Sequence, residues 1–291
     1  MPTFASNLRQ AIGSKGNFCS VGLDPDIRLM PEWLRDPANT AAMLTRFGEI
    51  VLDSVADLVP VVKPQSAFYE QFGSDGIAAL ENTIASARRR GLIVLLDVKR
   101  GDIGSTSAGY VKAYLEPGGS RLESDAITVS PYLGRDSLAP FARAAYDFGK
   151  GLFVCAVTSN PGAADVQKLE SGGKPVYEHV AEIVRSLIED AGDEYSPIGV
   201  VAGATHISES IDLRGILPRS VFLVPGLGAQ GGSAEHLGQL TDADGMGAIV
   251  SSSRSITYPE GSFDTEDRYR AAVREAARDF IRKVAPAHAR S

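Results

Sequence analysis

Eight short apolar runs, separated by helical stretches, constrain this chain more than any other feature of its sequence. They are residues 18–24, 59–65, 92–99, 126–131, 151–159, 198–204, 221–228 and 247–254. Most are continuous in apolar residues rather than alternating, as parallel strands covered on both faces require. Amphipathic segments lie between them. In 41–58, Met43, Leu44, Phe47, Ile50, Val51, Val55 and Leu58 recur at helical spacing, and 268–284 repeats the pattern near the end. Eight strand–helix alternations without a low-complexity linker predict an α/β architecture, a single (β/α)8 TIM barrel over 1–291. An open doubly wound sheet is the runner-up, but no GxGxxG opens a helix after the first run. With 291 residues, 44% of them hydrophobic, the chain can bury a core of that size.

The remaining composition narrows the function classes. A formal charge of −7 and the lack of a long Lys/Arg run argue against general nucleic-acid affinity. There is no stretch of about 18 apolar residues and no basic flank followed by an apolar run at the start. The expectation is therefore a cytoplasmic protein without a membrane partner. Cys19 and Cys155 both fall inside apolar runs, with no CxxC and no Cys/His pair at zinc spacing, so they read as buried structural thiols.

The third run is the chemically unusual one, because Leu95-Leu96-Asp97-Val98-Lys99-Arg100-Gly101-Asp102 takes an apolar strand straight into two carboxylates and an ammonium. Residues two apart share a strand face, so Asp97 and Lys99 should project together. Charge at the end of a buried strand costs several kcal/mol unless it is paired, which leaves a structural ion pair or an active site. The other runs decide between these. In a barrel, chemistry belongs at the carboxyl ends of the strands. Asp24 ends the first run, Lys63 lies in the second, Ser130 in the fourth, Thr158, Ser159 and Asn160 follow the fifth, and Arg254 ends the eighth. Polar groups from six strands converge on one mouth, which favours an active site.

The combination Asp97-x-Lys99-x-x-Asp102, with Lys63 on the preceding strand, Asp24 on the first and Arg254 on the last, resembles the orotidine 5′-phosphate decarboxylase family. The long bacterial form is similar also in Asp97 through Thr106, in Thr158-Ser159-Asn160-Pro161-Gly162 and in Pro225-Gly226-Leu227-Gly228-Ala229-Gln230-Gly231-Gly232. The resemblance covers nearly the whole barrel. It implies cofactor-free decarboxylation of orotidine 5′-monophosphate to uridine 5′-monophosphate, with no metal. It also implies an alternating array of Lys63, Asp97, Lys99 and Asp102, in which Lys99 protonates C6 of the pyrimidine. Asp24 would bind the ribose, and Asp102 and Thr106 would enter the neighbouring subunit's site in an obligate homodimer. Gln230 would bridge phosphate and pyrimidine, and Ser159 and Asn160 would read the pyrimidine edge.

The residue chemistry is compatible with that implication. Loss of carbon dioxide from a ring carbon leaves an electron pair without an adjacent sink, so the protein must supply the stabilisation. Two lysines balanced by two aspartates form a preorganised array in which the carboxylates keep Lys99 charged. Arg254 and the glycine-rich run 226–232 suit a phosphate beside the seventh and eighth strands. Three rival readings remain. A magnesium-dependent sugar-phosphate lyase or decarboxylase of the related hexulose-phosphate synthase group needs an acidic residue where Lys63 stands. A Schiff-base aldolase needs an amine of depressed pKa, which flanking carboxylates oppose. A non-catalytic phosphate-binding barrel has little use for four clustered charges. Bland roles also remain: Ser159 and Asn160 as caps of the following helix, His206 as a loop or structural histidine, and Arg88-Arg89-Arg90 as a solvated helix end. Segments 25–40, 121–125 and 163–175 look like loop material added relative to the shorter form of the family.

Overall fold

The structure, a computed structural model, describes residues 2–189, 194–227 and 237–288. Each of the eight apolar runs coincides with a strand to within two residues at its start or end or encloses one: β1 (Cys19–Leu23), β2 (Val61–Pro64), β3 (Ile93–Arg100), β4 (Ala126–Val129), β5 (Gly151–Val157), β6 (Ser196–Ala202), β7 (Ser220–Pro225) and β8 (Ala248–Ser252). All pair in parallel with their sequence neighbours, and β8 returns to β1 with Cys19 opposite Val250, closing a TIM barrel. The strands are short and buried on both faces, which is why they read as unbroken apolar runs.

The α-helices are α1 (Phe4–Lys15), α2 (Thr40–Val55), α3 (Ala67–Glu70), α4 (Gly73–Arg89), α5 (Gly104–Tyr114), α6 (Arg135–Phe148), α7 (Val176–Leu187), α8 (Ile207–Ile216), α9 (Arg254–Thr257) and α10 (Glu266–His288). The apolar stripe of α2 is buried as its spacing requires, Leu44, Phe47 and Val51 being wholly inaccessible. Helix α1 was not anticipated from the pattern of strands. It is capped by the Thr3 side chain, which accepts the Ser6 N–H at 3.1 Å, and it ends at Gly16 in the left-handed region. Phe4 of α1 meets Phe153 of β5 edge-on at 5.8 Å. A Cβ at Gly151 would lie 2.9 Å from the Phe4 ring, so the start of β5 needs a glycine to admit α1.

Two readings are corrected. Arg90 is not a solvated helix end: its guanidinium bridges Glu49 and Asp53 of α2, each at 2.5 Å, and binds Ser86. Arg88 likewise pairs with Glu123 at 3.3 Å. Arg88 and Arg89 remain exposed, as a solvated helix end does, and it is Arg90 that fastens α4 to α2. Of the two thiols, only Cys19 is buried outright, whereas Cys155 is partly accessible; burial nevertheless pushes the Cys155 thiol up to about 11.

The extra loop segments carry little regular structure. Segment 25–40 makes short 3-10 turns at Glu32–Leu34 and Pro37–Asn39, and 163–175 contains a small antiparallel pair, Glu170–Ser171 with Lys174–Pro175. Among the described residues, no helix is long and apolar enough to cross a membrane.

Candidate active site

A cavity of about 400 Å³ opens at the carboxyl end of the barrel, within the range of small-molecule sites, lined by residues of six strands and by those that directly follow β1 and β5. Its floor is charged. Asp97 on β3 is bracketed by two ammonium groups: Lys63 Nζ lies 3.0 Å from Oδ2 and Lys99 Nζ 2.5 Å from Oδ1. Gln65 donates to Oδ2 at 2.9 Å and the Thr128 hydroxyl to Oδ1 at 2.7 Å, so each carboxylate oxygen accepts two hydrogen bonds. Burial alone would raise the Asp97 pKa, but the charges of Lys63 and Lys99 outweigh it and hold the carboxyl below its usual range. For Lys63, burial pulls the pKa down, while Asp97 and then Asp24 more than restore it, leaving it raised. Both groups are therefore ionised at neutral pH although their side chains are buried.

The two lysines differ in setting. The Lys63 side chain is 8% exposed, whereas that of Lys99 is 47% exposed at the cavity wall. The expected alternation along β3 is also broken: its pairing with β4 shifts register between Leu96 and Arg100, and Lys99 takes φ 43°. A left-handed lysine costs on the order of 1–3 kcal/mol, and such strain persists where surrounding contacts fix it. Here the Lys99 N–H donates to the Thr128 hydroxyl at 2.9 Å. The Asp97 and Lys99 side chains still meet, but through a distorted strand end and not through plain period-two geometry.

Around this floor lie groups suited to a polar, anionic ligand. Asp24, at the end of β1, accepts from Ser253 through Oδ2, while its buried Oδ1 has no hydrogen-bond partner. A ligand hydroxyl would satisfy that acceptor. Tyr258 holds the backbone here, donating to the Asp24 carbonyl at 3.0 Å and accepting the Asp26 N–H at 2.6 Å. Arg254 begins α9 on the rim, exposed beside the cavity. On the opposite side, Thr158, Ser159 and Asn160 extend from β5. Asn160 precedes the 3-10 turn Pro161–Asp165, yet its side chain makes no capping hydrogen bond. The bland reading as a cap therefore fails for Asn160.

The cavity brings together Asp24, Lys63, Asp97, Lys99, Ser159, Asn160 and Arg254 from the residues singled out in the sequence. Asp102 and Thr106 are not among its lining residues. Asp102 lies in the turn before α5, its carboxylate accepting the Ile103 N–H at 2.8 Å, and Thr106 is exposed in the first turn of that helix. Gln230 lies outside the described residues. His206 stands at the start of α8, 3.6 Å from Glu209 and away from the cavity. Sequence reasoning missed Gln65, Thr128 and Ser253. Gln65 had a signal, since it stands two residues after Lys63 at the end of the same run. Thr128 had a weaker one, a lone hydroxyl within an apolar strand.

Comparison with known proteins gives consistent results. The sequence profile of the "Orotidine 5'-phosphate decarboxylase / HUMPS family" matches residues 36–262. An orotidine 5′-phosphate decarboxylase of Rhodopirellula baltica is 47% identical over 269 residues, covering 89% of each chain. One from Corynebacterium efficiens is 41% identical over 281 residues, covering 96% of this chain and 97% of its own. The solved structure of Leishmania donovani OMP decarboxylase is similar with a TM-score of 0.78 at 30% identity, covering 99% of this chain and all of that one.

Proposed function

The chain belongs to the orotidine 5′-phosphate decarboxylase family, and from that premise we propose how its residues divide the work of converting orotidine 5′-monophosphate to uridine 5′-monophosphate. This is a carboxy-lyase reaction of pyrimidine biosynthesis. The C6–carboxylate bond breaks, carbon dioxide leaves, and the electron pair stays on C6 until a proton arrives. Lys99 supplies that proton from its ammonium, and solvent recharges the amine. Asp97 faces the departing carboxylate. Lys63 keeps Asp97 ionised and adds positive charge beside the developing carbanion.

The observation that carries this reading is the single buried carboxylate held between Lys63 at 3.0 Å and Lys99 at 2.5 Å on the cavity floor. Magnitudes indicate how the parts must combine. General acid catalysis supplies about 10²–10⁴-fold, roughly 3–5 kcal/mol, while the largest enzymatic accelerations need about 20 kcal/mol. Preorganised charge and binding energy from the remote phosphate supply the rest. Arg254 binds that phosphate together with Gln230. Asp24 takes a ribose hydroxyl on its unpartnered oxygen, and Ser159 and Asn160 read the pyrimidine edge.

Asp102 completes the array in the second subunit of a homodimer, with Thr106 beside it. The exposure of Ile103, Tyr132 and Leu133 next to the turn that carries Asp102 supports this, since large apolar side chains there suit a partner surface. A cytoplasmic setting suits a nucleotide substrate. The magnesium-dependent sugar-phosphate reading is disfavoured by Lys63, whose ammonium lies against Asp97 where a divalent ion would be repelled.

The deciding experiment follows orotidine 5′-monophosphate decarboxylation by ultraviolet absorbance with chelator-treated protein, and Lys99→Ala as control. Metal-independent turnover, lost in a variant that still folds and binds uridine monophosphate, is the expected result. Substantial activity in Lys99→Ala overturns its role as the acid.

A further inference from the structure

We infer that Gln167, in the loop after β5, sets the hydrogen-bond polarity of Asn160, so that the cavity presents an amide N–H to the base and selects a ring carbonyl over an amino group. The inference deepens the reading in which Asn160 faces the pyrimidine, and it rests on that reading. It begins with a group that has no choice of role. The backbone N–H of Thr158 can only donate, and it donates to Gln167 Oε1 at 2.8 Å. The amide of Gln167 is thereby oriented, and its Nε2 end donates to the Thr158 hydroxyl at 2.7 Å.

With that hydroxyl already accepting, its single proton needs an acceptor, and Asn160 Oδ1 lies 2.6 Å away. That separation suits O–H···O and is short for N–H···O, so the oxygen of Asn160 faces Thr158. The Nδ2 end is left over, with no acceptor among the described residues. Asn160 lines the cavity, so this end is available to a ligand. Gln167 itself is held by its backbone: its N–H donates to the Ala163 carbonyl at 2.8 Å, and its carbonyl accepts the Tyr177 N–H at 3.0 Å. A side chain that need not touch the base thus decides which end of Asn160 does. Gln167 is a positioning residue.

Exchanging Gln167 for glutamate tests the relay. One carboxylate oxygen still accepts the Thr158 N–H, but the other now accepts the hydroxyl proton. Thr158 then offers only lone pairs to Asn160, whose amide turns and presents its oxygen to the cavity. Uridine and cytidine monophosphates carry the same phosphate and ribose but opposite groups at C4, a carbonyl and an amino group. Any general effect of the added charge cancels in the ratio of their inhibition constants. The native protein should prefer uridine monophosphate. Gln167→Glu should shift the ratio toward cytidine monophosphate by about tenfold or more, the worth of one hydrogen bond made or opposed. Thr158→Val, which removes the relay hydroxyl, should lower the preference without reversing it. If Asn160→Ala lowers the preference while Gln167→Glu and Thr158→Val leave it native, the relay is wrong and Asn160 still reads the base. If Asn160→Ala leaves the ratio unchanged, Asn160 does not read the base and both ideas fall.

Discussion

The hydroxyl of Thr128 accepts the backbone N–H of Lys99 at 2.9 Å, at the one described residue other than glycine whose φ is positive. The same hydroxyl donates to Asp97 at 2.7 Å, so its donor and acceptor roles are both committed to the proposed proton donor and its carboxylate neighbour. Thr128→Val keeps shape and volume but frees the Lys99 N–H and removes a donor from Asp97. Loss of two hydrogen bonds, one to a charged group, costs about 2–3 kcal/mol. Because both act on the geometry of Lys99 and Asp97, the loss should fall on kcat, by roughly 30- to 150-fold. Inhibition by uridine monophosphate should be nearly native. A variant that loses nucleotide affinity and kcat equally would show that Thr128 holds the cavity as a whole.

Asp97→Asn probes the charge balance. It leaves the Lys63 ammonium buried without its carboxylate, which typically destabilises a fold by about 3–5 kcal/mol. The pH dependence has a definite sign. The folded-state pKa of Asp97 lies below its unfolded value, so its contribution is fully present above that unfolded value and disappears as pH falls toward the folded one. Urea denaturation should therefore show a large gap between native and Asp97→Asn protein at neutral pH. That gap should shrink progressively below about pH 4, where unfolded aspartate takes up its proton. Lys63 acts oppositely: its raised pKa means that its contribution is present below the ordinary lysine range and is lost as pH rises through the folded value. A gap unchanged from pH 7 to 3 would refute the ionised bracket.

Much of this arrangement was legible because periodicity and chemistry coincide in a barrel. Continuous apolar runs identify buried parallel strands, and a charged residue ending such a run marks the cavity mouth, which located Asp24, Lys63, Asp97, Lys99 and Arg254 without coordinates. What escaped has physical reasons. The left-handed turn at Lys99 occurs at a residue type that gives no local signal for it, because Thr128, 29 positions away, sustains it. Helix α1 precedes the strand pattern and belongs to no β–α repeat. Gln167 lay in a segment read only as added loop, since nothing in its composition shows that its amide reaches Thr158. Asp102 stood in the charged run itself, but its role across the subunit boundary, like that of Thr106, entered through family resemblance, and neither residue lines this chain's cavity.

Arg254 separates phosphate binding from recognition of the base. Its guanidinium is exposed on the rim, beside a cavity whose buried charges are otherwise engaged with one another. Arg254→Ala should weaken uridine monophosphate binding by about 2–3 kcal/mol, the usual worth of hydrogen bonds to a charged group, and so by about 30- to 150-fold. Binding of uridine, which lacks the phosphate, should be unaffected. Isothermal titration with both ligands checks this, and equal losses would place Arg254 in a structural role instead.

Shared sites can be tested by complementation. In the proposed homodimer each site takes Lys63, Asp97 and Lys99 from one subunit and Asp102 from the other, as a two-fold axis requires. Asp102→Ala protein and Lys63→Ala protein should each be nearly inactive alone. A heterodimer of the two has one site with both substitutions and one with neither. Random exchange at equal concentrations makes about half the dimers mixed, so about a quarter of native activity should return. Exchange is monitored independently by mass spectrometry of differently tagged subunits. Activity that stays at the single-variant level after exchange is complete would mean that Asp102 acts within its own chain or not at all. The exposed turn and helix that carry it would then need another explanation.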